Sequence, residues 1–277
     1  MTLWICALCG IEHADTVEPP NTCVICSDER QYLLPEGQRW TTITEIRNER
    51  TATFEELEPD LYGINVTPKI GIGQRPLLIR TPAGNLLWEP PGFYDDAFVA
   101  ALNELGGVAA ITASHPHLTG VAVSLSHAFG NVPFYWGADD ERWIRRPDGV
   151  IRLWSGTQEV LPGLTLVQCG GHFAGSAVLH WANGAEGKGI LITGDTIYVV
   201  TDRNSATFMR SYPNMIPLSP RSVEKIMTAI EPLAYDRVYS GFAPGLIATD
   251  AKARLRYSAD RYIGWVRDEI RDPDERI

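Results

Sequence analysis

The chain has 277 residues, 44% hydrophobic and 21% charged, the balance of a folded globular protein and not of a disordered one. Lys and Arg number 24 against 34 Asp and Glu, a formal charge of −10; with no basic run to offset it, this argues against a phosphate backbone as partner, and no nucleic acid is expected. The uncharged stretch 105–138 is broken by Gly106-Gly107, Ser114-His115-Pro116-His117, Gly120, His127 and Gly130-Asn131, so no apolar run of about 18 residues survives and no membrane partner is expected.

Met1-Thr2-Leu3-Trp4-Ile5-Cys6 carries no basic n-region, so no signal peptide is expected and the cytoplasm, where thiols stay reduced, is the expected compartment. The first element follows at once: Cys6-x2-Cys9, thirteen residues, then Cys23-x2-Cys26. Two such hooks can place four thiolates at the corners of a tetrahedron around one soft cation. Gly10 suits the tight backbone of the first hook. Residues 1–35 are too few for a core of their own, which makes a metal the expected stabiliser. The plainer alternative is two reduced cysteine pairs in a core. The segment resembles the rubredoxin-like knuckle at the end of rubrerythrins, and a minimal zinc ribbon. Spacing does not choose between iron and zinc; zinc is preferred because no second redox centre is evident. His13 is expected to be solvated.

A boundary is expected near Pro35-Glu36-Gly37, with 36–59 a polar, partly helical linker and 60–277 the main domain. Residues 61–66 alternate as a strand. Residues 76–80 and 86–89 read as a hairpin around Thr81-Pro82-Ala83-Gly84-Asn85. Residues 95–104 read as a helix opened by two acids and closed by Gly106-Gly107, and 108–112 as a short buried strand. Strands are expected at 163–168, 177–181, 189–193 and 237–240, and helices at 222–229 and 251–269. Alternating helices and strands without repeats predict an α/β layered domain. Cys169, at the end of an apolar run, reads as a small buried hydrophobe.

Five of the six histidines lie in two charge-poor stretches, 105–138 and 160–185, where an ion–ligand attraction is strengthened. In an extended segment, residues two apart share a face, so His115 and His117 can reach one ion, and Pro116 favours extension at His115. His172 sits in the glycine-rich Gly170-Gly171-His172-Phe173-Ala174-Gly175-Ser176, and Asp195 ends the apolar run Ile190-Leu191-Ile192-Thr193-Gly194-Asp195. His127 is expected to point away from the metal, and His180 to be structural.

His115-x-His117, Gly171-His172-x-x-Gly175-Ser176 and Thr193-Gly194-Asp195, in this order, resemble the metallo-β-lactamase superfamily. The hairpin ending Leu87-Trp88-Glu89-Pro90-Pro91-Gly92 takes the place of that family's strand motif ending in Asp and Gly. The likeness covers roughly residues 60–250. It implies a four-layer αββα sandwich with a metal site at one edge. The family pattern His-x-His-x-Asp-His reads His115-Pro116-His117-Leu118-Thr119-Gly120 here, and the place of its last histidine reads Ser240-Gly241-Phe242. The second metal site therefore lacks three protein ligands.

What remains is His115, His117 and His172, with Asp195 as fourth ligand or as the group that orients a water. The expected cofactors are one zinc, or another divalent ion, at this site and zinc (iron possible) at the four cysteines. The expected activity is hydrolysis of a small ester, thioester, amide or phosphoester. Arg203, Arg210 and Tyr212 are candidates for substrate binding, the arginines as clamps for a carboxylate or phosphate. Tyr135 and Trp136 are either pocket or core. Two other readings stand beside this one: an iron-containing oxidoreductase, and a non-catalytic binder on a degenerate fold.

Overall fold

Every central strand of the protein alternates with a period of two, and both of its faces are apolar. Such a strand must be covered on both sides. The structure, a computed structural model, describes residues 1–274; the last three residues of the expected main domain, 275–277, lie outside the described residues. Leu77, Ile79, Leu86, Trp88 and Ala110 of one sheet meet Leu164, Leu166, Ala177, Leu179, Ile190 and Ile192 of a second sheet in a shared core. Leu78, Leu87 and Ile111 point the other way, onto Phe98, Leu102 and Leu125 of helices. On the far side Val167, Val178, Leu191 and Val238 meet Val223, Ile226, Leu255 and Ala259. The layers are helix, sheet, sheet, helix.

The first sheet has seven strands in chain order: Thr51–Glu58, Leu61–Thr67, Leu77–Ile79, Leu86–Trp88, Ala110–Thr112, Phe134–Gly137 and Ile151–Trp154. Pairing is antiparallel up to Leu86–Trp88 and parallel beyond it. The second has six: Thr157–Leu161, Leu164–Gln168, Ala177–Trp181, Ile190–Ile192, Arg237–Tyr239 and Leu246–Ile247. Only Ile190–Ile192 and Arg237–Tyr239 pair in parallel there. Each parallel step needs a crossover. Helix Asp96–Glu104 provides one, with the Asp95 carboxylate accepting from Phe98 N at 2.7 Å. Helix Pro220–Ile230 provides another. Ser219 caps it, and it buries Val223, Ile226, Met227 and Ile230, an i, i+3, i+4, i+7 stripe worth about 1.5–3 kcal/mol per fully buried side chain.

The strand Thr51–Glu58 falls inside the stretch expected to be linker. It is the edge of the first sheet, registered from Thr51 opposite Thr67 to Glu58 opposite Leu61. Thr51, Thr53, Glu55 and Glu56 face solvent, so its polar composition hid it. The expected helical part is the four-residue Ile43–Ile46, with a capping box of Thr42 and Glu45.

The cysteine knuckle is built into this sandwich. Gly10 and Gly92 lie back to back, and a Cβ on Gly92 would stand 2.5 Å from the Gly10 Cα. Glu12, buried, accepts from Val123 N at 2.6 Å, Ser124 N at 3.2 Å and Ser124 Oγ at 2.7 Å. It thereby caps the helix Ala122–Ala128, whose own N-cap residue Val121 offers no side-chain bond. Arg146 donates to the same carboxylate.

Candidate metal centres

In the knuckle each hook closes on itself, Gly10 N donating to Cys6 O at 2.8 Å and Ser27 N to Cys23 O at 3.0 Å. The four sulfurs lie within 4.8 Å of one another and are buried. Cys6 and Cys26 are 3.6 Å apart, Cys9 and Cys23 3.9 Å. Four thiolates around one ion at about 2.3 Å stand about 3.8 Å apart, so the donor set fits a tetrahedral cation. Gln38 ties the hooks together: its Nε2 donates to Cys6 Sγ at 3.1 Å, and its Oε1 accepts from Cys23 N at 3.1 Å. His13, expected in solvent, is buried instead, with Nε2 3.6 Å from Cys23 Sγ and its ring edge-on to Trp40.

The second centre gathers three distant parts of the chain. His115, His117 and His172 bring their donor atoms within 4.8 Å of one another. His115 is extended, with φ −166°, as a residue before proline prefers. His117 is not extended: Pro116–Leu118 is one 3-10 turn with proline at its first position, where its fixed φ suits a helical start. The turn, and not strand alternation, brings the two rings together. His172 enters from the turn after Leu164–Gln168, held by Ser176 Oγ accepting from Phe173 N at 2.7 Å.

The ring tautomers follow from the neighbours. His172 Nδ1 lies 3.1 Å from Met209 O, so this nitrogen carries the proton. Ser114 Oγ donates to Glu89 Oε1 at 2.5 Å and so receives from His115 Nδ1 at 2.7 Å. The Nε2 atoms of all three histidines are buried without a partner. Burial holds His115 and His117 well below their usual value and His172 down at about 4. Three neutral imidazoles with free lone pairs converging in a buried spot are the donor set of a cation. Gly194 leaves room for the relay behind them: a Cβ there would stand 2.4 Å from Glu89 Oε1. Burial pushes Glu89 up to about 8, with the Asp195 charge adding to the effect.

Asp195 Oδ2 lies 3.8 Å from His115 Nε2, and Oδ1 has no partner. Burial raises its carboxyl to about 7. At position 120, where the family pattern has the last histidine of its first motif, the structure is closed. Gly120 has φ +46°, and a Cβ there would stand 2.2 Å from the carbonyl oxygens of both Pro90 and Pro91. Thr119 donates to Pro116 O at 3.1 Å. No side chain of any kind fits at 120, least of all an imidazole.

A pocket of about 240 Å³ opens beside His117 and Asp195. Tyr212 lines it and donates to Asp195 O at 3.0 Å. Arg210 does not line it: its guanidinium bonds Glu29 at 2.9 and 3.0 Å. Arg203 sits in an exposed turn whose neighbour Asn204 bonds Arg254 of the last helix, so tertiary placement separates it from the pocket. Sequence reasoning missed Arg30, Gln31, Tyr32, Ile72 and Tyr198, which do line the pocket; a polar loop after a cysteine pair has no periodic signal. Tyr135 and Trp136 belong to the cores. His127 pairs with Asp148 at 3.1 Å and is not part of the three-histidine group, and His180 lies 2.7 Å from Ala234 O. Cys169 is buried, its thiol raised to about 12 by that burial.

Two sheets face to face, helices outside and three histidines at one edge define a protein of the metallo-β-lactamase fold. Similar solved structures include VMB-1, with 16% identity, 78% of this chain and 98% of that one covered, and a TM-score of 0.56. DIM-1 metallo-β-lactamase has 10% identity, coverage of 79% and 98%, and a TM-score of 0.56. A B3 metallo-β-lactamase with an active-site glutamic acid has 15% identity, coverage of 93% and 100%, and a TM-score of 0.51. No family model matches the chain. In sequence the chain belongs to the family of the uncharacterized protein YmaE of Bacillus subtilis (strain 168), 44% identical over 273 residues that span 98% of this chain and 99% of YmaE.

Proposed function

We propose that the protein is a hydrolase working with a single zinc ion held by His115, His117 and His172, and that the four cysteines hold a structural zinc. The observation that carries this reading is the set of three buried, unpartnered Nε2 atoms beside one carboxylate. A divalent ion at such a site supplies Lewis acidity, which activates water and polarises a carbonyl at neutral pH. The chain's own residues do the rest. Asp195, whose Oδ1 is buried without a partner, can take a proton there and return it to a leaving group. Tyr212 fixes the Asp195 backbone through its hydroxyl. Glu89 and Ser114 hold the His115 ring in one tautomer. A small ester, thioester, amide or phosphoester is the substrate of this reading, and the reducing cytoplasm is the compartment that suits four metal-binding cysteines.

Elemental analysis joined to turnover tests it. The intact protein is expected to hold two equivalents of zinc, and Cys6→Ser/Cys23→Ser one. Three or more would mean a dinuclear centre. His117→Ala is expected to abolish hydrolysis across an ester and thioester panel; unchanged turnover would favour a binding protein. Ferric-thiolate absorption in the purified protein would favour iron at the knuckle and the redox reading.

A further inference from the structure

The pocket has two builders. One is an aromatic strip that starts at the metal centre: His172 to Tyr212 at 5.7 Å between ring centroids, Tyr212 to Tyr198 at 5.1 Å, Tyr198 to Phe242 at 6.4 Å. The other is the loop that leaves Cys26, which contributes Arg30, Gln31 and Tyr32. That loop is fastened on both sides. Its first residue closes the second cysteine hook. Further along, Glu29 O accepts from Ser211 Oγ and from Asn214 Nδ2, each at 2.6 Å. Where Gln31 and Tyr32 stand is therefore set by the knuckle.

The cation of the lining is already matched. Arg30, the pocket's one lining arginine among the described residues, bonds both oxygens of Asp28, at 2.5 and 2.9 Å, and donates to His172 O at 3.3 Å. An anionic group entering beyond the metal would meet the Asp195 carboxylate and no free cation from the wall. What the wall does offer is ring surface: Tyr32, Tyr198, Tyr212 and Phe242, with Ile72 and Pro213. Tyr32 keeps 51% of its surface exposed at the mouth, with room for a stacking partner. The 240 Å³ volume exceeds the roughly 150 Å³ that admits benzene into an apolar cavity.

We propose that the knuckle loop is the specificity wall of this pocket, and that Tyr32 with Phe242 and the tyrosine strip selects substrates carrying an uncharged aromatic ring next to the bond that is cleaved. This rests on the hydrolase reading for the cleavage, but not for the binding.

The test uses the full chain. Methyl phenylacetate and monomethyl succinate, esters of similar reactivity, are compared by kcat/KM. A preference of at least tenfold for the aromatic ester is expected. Tyr32→Ala and Phe242→Ala should each cut that preference severalfold, mainly through KM, while Tyr32→Phe retains it. In parallel, saturation-transfer NMR on the metal-loaded protein with phenylacetamide as probe should show ring contact that Tyr32→Ala weakens and that succinamate does not give. Equal or reversed preference, or a preference indifferent to Tyr32→Ala and Phe242→Ala, overturns the proposal. Failure to cleave either ester while phenylacetamide still binds through Tyr32 would leave the wall standing and remove the hydrolase reading.

Discussion

The guanidinium carbon of Arg30 lies 3.7 Å from the centroid of the Phe173 ring, and the same ring borders all three candidate metal ligands, at 4.7 Å from His117, 5.2 Å from His172 and 5.4 Å from His115. A residue four positions after Cys26, the last cysteine of the knuckle, thus backs the histidine centre. Groups that hold ligands in place commonly change metal affinity 10–100-fold when lost. Arg30→Ala is expected to weaken zinc binding at the histidines about tenfold, read by chelator competition on the intact chain. Arg30→Lys keeps a cation over the ring but loses the two-pronged bond to Asp28, and should recover part of the loss. Unchanged affinity in Arg30→Ala would reduce the stack to surface packing.

Restoring the family's missing histidine should fail. Gly120→His places a side chain into the carbonyls of Pro90 and Pro91 at a positive φ. Overpacking and backbone strain together are expected to cost at least about 3 kcal/mol. Denaturant unfolding measures this, and metal content should not rise above that of the parent. A stable variant with a third equivalent would show that the loop 90–92 can yield.

Glu12 should behave as part of the main domain's folding unit although it lies between the cysteine hooks. Glu12→Ala leaves two N–H groups of the helix Ala122–Ala128 without their acceptor and the Arg146 guanidinium without its carboxylate partner. A loss of about 2–4 kcal/mol in unfolding free energy is expected, in a single transition. Two separate transitions, with only the first affected, would mean that the knuckle folds alone.

Asp140 predicts a pH effect that can be separated from the metals. Burial raises its carboxyl from 3.8 to about 6. The folded chain therefore holds more protons than the unfolded chain between these values, so stability falls as pH rises through that window and levels off above it. Asp140→Asn has no such proton to lose. Between pH 4 and 6.5 the metal-free parent is expected to lose of the order of 2 kcal/mol relative to the variant, measured by urea unfolding at each pH. Parallel curves would show that the carboxyl is solvated.

Much of the fold was legible because its signal is periodic. Leu77, Leu78 and Ile79 alternate between two cores, and an apolar strand of that kind belongs in a covered sheet. The histidine centre was legible because its ligands sit in turns with small neighbours, Gly171 and Ser176 around His172 and Gly194 before Asp195. The edge strand Thr51–Glu58 was not, since half of its faces meet water. Arg30 and Tyr32 were not, since their importance comes from where the knuckle docks, a contact that no local pattern encodes. Arg203 shows the reverse error, since it lands in an exposed turn, whereas Arg210 stays close, donating to His172 O at 3.5 Å, but is held by Glu29 and does not line the pocket. His117 was placed correctly for the wrong reason, since a 3-10 turn and not an extended segment aims it.

The back-to-back meeting of Gly10 and Gly92 makes inheritance of the two loops inseparable. A methyl group on Gly92 would stand 2.5 Å from the Gly10 Cα, and one on Gly10 would stand 3.1 Å from the Gly92 Cα at a positive φ, so each loop constrains what the other can carry. Anyone transplanting this cysteine module onto another sandwich of the same architecture must carry the 90–92 bend with it, or the graft will have nowhere to sit.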